Sequence, residues 1–295
     1  MIKVSFIINS TQKLTKYVNE VISLAKKSLK IDVTICYTKH EKHAKTLAEA
    51  ESNKSDIIIA VGGDGTCNEV VNGIYNSGNK HIILGILPNG TGNDFSRMLP
   101  TFTAPEFVRK LELKNCIKID IGEIVCQQSK SVFINIADIG FGVRVVELMN
   151  KQRLSGVKGK LSYATAIIRA FFSYKKIPVS ISGDNFNYEG NILMAAFCNG
   201  NTFGHGIVIN PNAKITDGKL DITIIGNVSL LTYLKYLGKL KKGEKINHPE
   251  VKYYQTKSIK INAIPSQQQI EADGELFGNS ISEIRILKEE ICLIG

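Results

Sequence analysis

The chain predicts an α/β unit joined to a β unit: an N-terminal doubly wound, mostly parallel sheet followed by a C-terminal antiparallel β-sandwich. Three observations carry this. Strand-like and helix-like runs alternate as far as about Cys116, and beyond it strand-like runs follow one another with turn signals between them. Between a strand and a helix stands the run Val61-Gly62-Gly63-Asp64-Gly65-Thr66. Alternation implies βαβ units with helices on both faces of a parallel sheet, whereas successive short strands imply antiparallel pairing.

The elements of the first part follow from periodicity. Lys3–Asn9 is a strand, and Lys13–Leu29 a helix, with Leu14, Tyr17, Val18, Val21, Ile22 and Ala25 recurring at three and four. Ile31–Tyr37 reads as a strand, His40–Glu51 as a helix, and Asp56–Val61 as a short apolar, β-branched strand of the buried kind. Thr66–Asn76 is helical, His81–Leu87 a strand, and Asn93–Met98 and Ala104–Leu111 short helices. The second part offers strands at Cys116–Val125, Ser131–Ala137, Pro178–Ser182, Asn191–Cys198, Ile207–Ile209, Leu220–Ile225, Ser258–Asn262 and Glu283–Leu287. Turns such as Ser182-Gly183-Asp184-Asn185 and Thr216-Asp217-Gly218-Lys219 punctuate them. Two helices interrupt it: Leu161–Tyr174, with Leu161, Ala164, Ile168 and Phe171 on one side, and Ser229–Leu240, carrying Leu230, Leu231, Leu234 and Leu237. Glu289–Ile294 is a last strand that can return to either domain. The domain boundaries expected are 1–120, joined by 286–295, and 121–285.

Composition narrows the function. At 43% hydrophobic residues with seven prolines, the 295-residue chain can bury a sizeable core. Its first nine residues read as a strand rather than a signal peptide, and no apolar run is long enough to span a membrane. Six cysteines without C-x-x-C spacing, five of them in apolar runs, read as buried free thiols in a reducing compartment, which predicts a cytoplasmic protein. Thirty-seven basic against 27 acidic residues give a net charge of +10, which favours an anionic partner. The basic residues cluster at Lys151, Arg153, Lys158 and Lys160, and again at Lys235, Lys239, Lys241, Lys242 and Lys245. Solvated faces or anionic surfaces both account for such clusters. No RNA- or DNA-binding module is recognisable, so nucleic acid is not an expected partner.

The glycine run is where chemistry enters. Glycines let backbone N–H groups approach anionic oxygens, and the following helix adds the positive end of its dipole. Asp64 is itself anionic, so its task is to hold a metal, a metal-bound water or the turn, or to cap the helix. A second glycine turn, Leu87-Pro88-Asn89-Gly90-Thr91-Gly92-Asn93-Asp94-Phe95, also follows a strand and precedes a helix. Two such turns at one sheet edge suit a polyphosphate; the alternative is that one loop braces the other. Asp273-Gly274-Glu275 carries two carboxylates on what is also a strong hairpin signal.

These residues resemble the diacylglycerol kinase catalytic domain and its soluble bacterial lipid kinase branch. The resemblance rests on Gly62-Gly63-Asp64-Gly65-Thr66 with Asn68-Glu69, and on Pro88 with Gly90-Thr91-Gly92-Asn93-Asp94-Phe95. It extends through Asn135–Gly142, Asn199-Gly200-Asn201, Pro211 with Ala213, Asp217–Asp221 and Asp273-Gly274-Glu275, in the family's order. It implies a Rossmann-like first domain and an ATP cleft between the two domains. It further implies transfer of the γ-phosphoryl group of ATP to diacylglycerol or a similar lipid alcohol, at an anionic membrane surface to which the protein binds peripherally. Gly62, Gly63, Asp64, Gly65, Thr66, Asn68 and Glu69 would cradle the phosphates, with Asn9, Thr38, Gly90 and Thr91 as further nucleotide contacts. Glu275 would be the proton acceptor, with Asp273 and Asp64 as the other catalytic carboxylates. Mg²⁺ would be bound at Lys214, Asp217 and Lys219, the lysines through backbone carbonyls, and a separate catalytic Mg²⁺ would be organised by Asp64 through water.

The chain departs from the family at Ser10-Thr11-Gln12-Lys13, at Val143-Arg144 and at His205. Two other readings stay open. An NAD kinase shares the Gly-Asp turn and the two-domain plan, although Pro88–Phe95 follows the lipid kinase pattern. A catalytically silent nucleotide- or lipid-binding regulator would need damaged acidic motifs, and Asp64, Asp217, Asp273 and Glu275 are all present. A homodimer is left open. Phe171, Phe172 and Tyr174, beside Lys175 and Lys176, can serve either core packing or lipid contact.

Overall fold

The computed structural model describes residues 1–126, 129–154, 160–265, 268–278 and 281–295. Lys158 of the first basic cluster lies outside the described residues, as do the side chains of Arg153, Lys160 and Leu161. By its contacts the chain divides into two compact units, Met1–Ile121 with Lys288–Gly295, and Gly122–Leu287.

The first unit runs β1 (Ile2–Ile8), α1 (Lys16–Lys27), β2 (Ile31–Tyr37), α2 (His43–Glu51), β3 (Ile57–Gly62), α3 (Asp64–Ser77), β4 (Ile83–Pro88), α4 (Ala104–Leu113) and β5 (Cys116–Cys126), with a single 3₁₀ turn at Phe95–Met98. The second runs β6 (Lys130–Phe133), β7 (Ile136–Gly140), α5 (Phe141–Leu154), α6 (Lys160–Ser173), β8 (Ile177–Gly183), β9 (Phe186–Ile192), β10 (Met194–Cys198), β11 (Thr202–Phe203), β12 (Ile207–Val208) and β13 (Leu220–Ile225). It continues through α7 (Leu230–Lys241), β14 (Val251–Thr256), β15 (Ser258–Ala263), β16 (Ile270–Ala272), β17 (Glu275–Phe277) and β18 (Ile281–Ile294). Strands β5 and β18 contribute residues to both units.

In the first unit the sheet order is β2-β1-β3-β4, with Cys292 and Leu293 of β18 beside β4, and every one of these pairings is parallel. All six residues of β3 are buried, as a central parallel strand covered on both faces requires. Ile57, Ile58 and Ile59 are wholly buried, each such side chain stabilising the fold by about 1.5–3 kcal/mol. Two of the unit's helices begin at capping residues. Thr15 accepts the Val18 N–H at the start of α1, and Thr103 with Glu106 forms a reciprocal capping box before α4. Lys26 and Lys27 close α1 at the negative end of its dipole.

The second unit is a sandwich. One antiparallel sheet runs β14-β13-β10-β7-β16-β17; the other contains β18, β15, β8 and β9 in that order, with β5 paired to β6. Phe133, Ile139, Ile181, Phe197, Ile222 and Ile259 are among the residues of the core they form. The period of two decides the rest. Ala195 and Phe197 of β10 join that core, while Met194, Ala196 and Cys198 pack with Phe141, Val145, Ala166, Ile167 and Ala170 of α5 and α6. All of β10 is therefore buried and reads as a continuous apolar run.

Several elements differ from the sequence expectation. Helix α3 starts at Asp64, within the glycine run, rather than at Thr66. The strand expected over Ser131–Ala137 is two, because the N–H groups of Ile134, Asn135 and Ile136 turn to the carboxylate of Asp273. Helix α5 and strands β9 and β14 have no counterpart in that expectation: Gly142 and three valines mask the first, and half-exposed alternation with tyrosines marks the others. Glu283–Leu287 and Glu289–Ile294 are one strand, β18, with Glu289 at φ 53° interrupting its regularity. The expected apolar faces of α6 and α7 are also displaced. Ile168, Leu231 and Leu234 are exposed, and the buried faces are built instead from Ala166, Ile167 and Ala170 and from tyrosines such as Tyr163 and Tyr233. All six cysteines are free, but only Cys67 and Cys198 are buried.

Candidate active site

The loops that leave β1, β2, β3 and β4 all lie at the carboxyl edge of the parallel sheet, where open α/β sheets bind ligands. They are tied to one another by short polar side chains. Asn9 donates through Nδ2 to Thr66 Oγ1 at 3.0 Å, joining the end of β1 to α3. Thr38 accepts the Ser10 N–H through Oγ1 at 3.2 Å and the Ser10 hydroxyl through its carbonyl at 2.6 Å. Asn89, which sequence reasoning did not single out, accepts the Thr15 N–H at 2.9 Å and donates to the Lys13 carbonyl at 3.2 Å. It thereby fixes the altered loop after β1 against the loop after β4.

The two glycine turns pack backbone to backbone. A Cβ on Gly90 would lie 2.4 Å from Gly63 Cα, and one on Gly62 would lie 2.4 Å from Thr66 Oγ1. The closeness thus depends on the missing side chains at both positions. Asn93, at φ 53°, holds the second turn by accepting the Gly90 N–H and donating to the Gly90 carbonyl. Gly63 caps α3 with no side-chain hydrogen bond, so the positive end of the helix is presented by backbone alone.

Asp64 stands in the first turn of α3 and accepts the Phe95 N–H through Oδ1 at 3.2 Å. Burial raises its pKa, the neighbouring Asp94 carboxylate raises it further, and the N–H groups of Phe95, Asp94 and Asn93 oppose the shift. Asp64 therefore braces the second glycine turn. Asn68 and Glu69 each have hydrogen-bond partners within the protein. Glu69 accepts the Lys42 and Ala44 N–H groups at 3.1 and 2.9 Å, capping α2, and Asn68 accepts from Asn72. Gly65 follows Asp64 in α3, and Thr91 is exposed at the tip of the second turn.

In the second unit, Asp273 and Gly274 link β16 to β17 with φ of 51° and 90°, the left-handed pair that a two-residue hairpin of type I′ requires. Asp273 accepts the N–H of Ile134 through Oδ2 at 2.9 Å, and those of Asn135 and Ile136 through Oδ1 at 3.1 Å each. Three donors converging on two acceptor oxygens match an ionised carboxylate. Asp273 is thus a clamp for the hairpin, while half-buried Glu275 begins β17 beside it.

A second acidic pair lies behind the hairpin. Asp138 of β7 and Glu271 of β16 are direct cross-strand partners, both buried, and the Glu271 carboxylate accepts the Gly274 N–H. Among the described residues neither Asp138 oxygen finds a donor at hydrogen-bond geometry, although the Glu271 carboxyl and the backbone of Gly142 lie against it. Burial pushes Asp138 up to about 6 and Glu271 well above the usual carboxylate range, the latter further raised by Asp138 itself. Like charges on adjacent strands cannot both ionise there, so the pair holds a proton. The sequence signal is a lone aspartate inside the apolar run Ile136-Ala137-Asp138-Ile139.

The residues expected to bind Mg²⁺ sit on the turn before β13. Asp217 accepts the Lys219 N–H through Oδ1 at 3.1 Å, and Gly218 takes φ 69°. One carboxylate and backbone carbonyls are hard oxygen donors, which suit Mg²⁺. Among the described residues no group of three or more His, Cys, Asp or Glu side chains could hold a metal. His205, also at positive φ, lies with its ring centroid 5.0 Å from that of Tyr163, and Arg144 pairs with Glu147.

Glycine turns at the carboxyl edge of a parallel sheet define the class of the first unit, an α/β phosphate-binding fold. Comparison with known proteins takes this further. Residues 3–124 match the diacylglycerol kinase catalytic domain, and residues 135–294 match the YegS C-terminal NAD kinase beta sandwich-like domain. The diacylglycerol kinase of Staphylococcus haemolyticus is 31% identical over 86% of this chain and 76% of its own length, and that of Bacillus subtilis 31% over 78% and 74%. The "probable lipid kinase YegS" of Escherichia fergusonii is 32% identical over 77% of this chain and 76% of its own. A solved structure from Bacillus anthracis, 26% identical, superposes with a TM-score of 0.76 over 99% of this chain and 96% of that one. The chain belongs to the diacylglycerol kinase family, in the bacterial branch that includes the YegS lipid kinases. It is a transferase of the lipid kinase type, for which the family implies ATP and a lipid as substrates. Among the described residues no helix is long and apolar enough to cross a membrane.

Proposed function

We propose that this protein transfers the γ-phosphoryl group of ATP to the hydroxyl of diacylglycerol or a similar lipid alcohol, acting peripherally at a membrane surface. The observation that carries the reading is the backbone-to-backbone packing of the Gly63 and Gly90 turns beside the N-terminus of α3, which Gly63 caps without a side chain, within a segment that matches the diacylglycerol kinase catalytic domain. Backbone N–H groups and a helix N-terminus in that setting bind phosphate oxygens. Asn9 and Thr38 border the same edge and are assigned to the nucleotide, together with Thr66, Gly90 and Thr91. Asn68 and Glu69 are assigned an indirect part, since they order α2 and α3.

Phosphoryl transfer asks the protein for positioning, charge stabilisation and a group that orients or deprotonates the nucleophile. Glu275 is assigned as the proton acceptor for the lipid hydroxyl, and Asp273 as the residue that holds the Glu275 turn in place. When bound, a catalytic Mg²⁺ would offset the phosphate charge, and Asp64 is assigned to hold it through water; Asp217 and the carbonyls of Lys214 and Lys219 are the oxygen donors assigned to a second, separate Mg²⁺.

The test is incubation with labelled ATP and either diacylglycerol vesicles or NAD, for wild type and Glu275→Ala. Label in the lipid, reduced at least about 100-fold by the substitution, is the expected result. Label in NAD would overturn the lipid assignment, and unchanged transfer by Glu275→Ala would overturn the role of Glu275.

A further inference from the structure

Helices α6 and α7 meet in the second unit at two side-chain contacts. Phe171 of α6 meets Tyr233 of α7 with ring centroids 5.5 Å apart, and Lys176, just after α6, donates to Asn227, just before α7. Their inward faces serve the core described above. Their outward faces are unusual for a folded surface. Among the described residues nine large hydrophobic side chains are exposed, and four of them are on these two helices: Ile168 and Phe172 on α6, Leu231 and Leu234 on α7. Phe172 is 83% and Leu231 79% exposed, and the contacts that join the end of α6 to the start of α7 bring their positions to the same region. Scattered exposed hydrophobics need no explanation, but a grouped set points to a partner.

Charge says which partner. From α7 into the turn beyond it, Lys235, Lys239, Lys241, Lys242 and Lys245 are exposed with Glu244 as the only acid among them. None of the five makes a salt bridge among the described residues. Lys235 and Lys239 lie about the Tyr236 ring and Lys245 over Tyr253, so the cations run along α7 and into the turn that follows it. Exposed leucine and phenylalanine beside a cluster of lysines is the signature of an element that lies in the plane of an anionic bilayer. A protein partner of such charge would have to be strongly acidic, whereas a bilayer supplies both apolar depth and phosphate in one surface.

We infer that the outward face of α6 and α7 docks on an anionic lipid bilayer, with Ile168, Phe172, Leu231 and Leu234 entering the acyl boundary and the five lysines meeting lipid phosphates. The inference rests on the lipid kinase reading only for its biological setting. The face is built independently of Glu275 and of the glycine turns.

The experiment is co-sedimentation with vesicles of phosphatidylcholine alone or mixed with phosphatidylglycerol, using wild type, Phe172→Ser with Leu231→Ser, and Lys239→Gln with Lys241→Gln and Lys242→Gln. All five positions are exposed, so thermal unfolding is expected to be unchanged. The apolar pair is expected to lower partitioning onto mixed vesicles at least about 10-fold. The lysine set should abolish the preference for phosphatidylglycerol and its salt dependence. Phosphorylation of a dissolved short-chain diacylglycerol should be unaffected in both variants. Partitioning that ignores both sets overturns the inference. So does a wild-type dimer, seen by sedimentation without vesicles, that the apolar substitutions dissociate, because the face would then be a contact between two copies. Absence of label in any lipid from wild type would overturn the function instead, and the vesicle series would still decide the docking face.

Discussion

The two acidic turns of this chain reach similar precision by opposite means. In the first unit, the Asp64 turn is close-fitting because atoms are missing: a methyl group on Gly62 would collide with Thr66, and one on Gly90 with Gly63. In the second unit, the Asp273–Glu275 hairpin is held because atoms are present, with one carboxylate accepting three backbone N–H groups and another accepting the Gly274 N–H. A turn built on absence is broken by adding a carbon. One built on buried acceptors is broken by removing an oxygen, and it also responds to protons.

The largest effect should come from the hairpin. Asp273→Ala leaves three N–H groups in a buried setting without their acceptor, at roughly 1–3 kcal/mol each before relaxation. Destabilisation of at least about 3 kcal/mol in urea unfolding is expected. A smaller loss, with hydrogen exchange at Ile134–Ile136 still slow, would show that the clamp is not what orders the hairpin. Gly90→Ala should act more narrowly. The added carbon forces Gly63 away, so KM for ATP should rise about 10-fold or more, while urea unfolding shifts by only about 1–3 kcal/mol. An unchanged KM would separate the glycine packing from nucleotide binding.

The smallest effect is the most specific. Glu271 has its folded-state pKa raised above the unfolded value, so its contribution to stability is full below the ordinary carboxylate pKa and is lost as pH rises through the raised one. Glutamine keeps an acceptor for Gly274 and a donor toward Asp138 but does not titrate. Glu271→Gln should therefore match wild type near pH 4 and exceed it at pH 8 by at least about 1.4 kcal/mol, the equivalent of a tenfold difference in proton affinity. Parallel curves of melting temperature against pH would show that the pair does not hold its proton on Glu271.

What the sequence disclosed follows the same division. The parallel unit was legible because β-branched runs, helical spacing and glycine turns are local signals, and Val61–Thr66 and Pro88–Phe95 announce themselves. The roles inside those motifs were less legible. Glu69 belongs to the same run as Asp64, yet its carboxylate caps α2, a partner set by packing and not by spacing. Asp138 and Glu271 lie far apart in the chain and meet only through strand register, which no local pattern encodes. The helices of the second unit misled for a different reason. A leucine repeat normally marks the buried face, but here tyrosines and small residues line it, and Leu231 and Leu234 are left outside.

The last strand also bears on how the chain is made. The edge of β4 is completed by Cys292 and Leu293, whose residues follow the whole of Gly122–Leu287 in the chain. During synthesis from the N-terminus, the first unit can therefore assemble four parallel strands early but waits with an open, hydrogen-bond-hungry edge until the sandwich segment has emerged. Its completion is a late event in the ribosome's timetable, and a chain halted before Lys288 would carry that edge exposed.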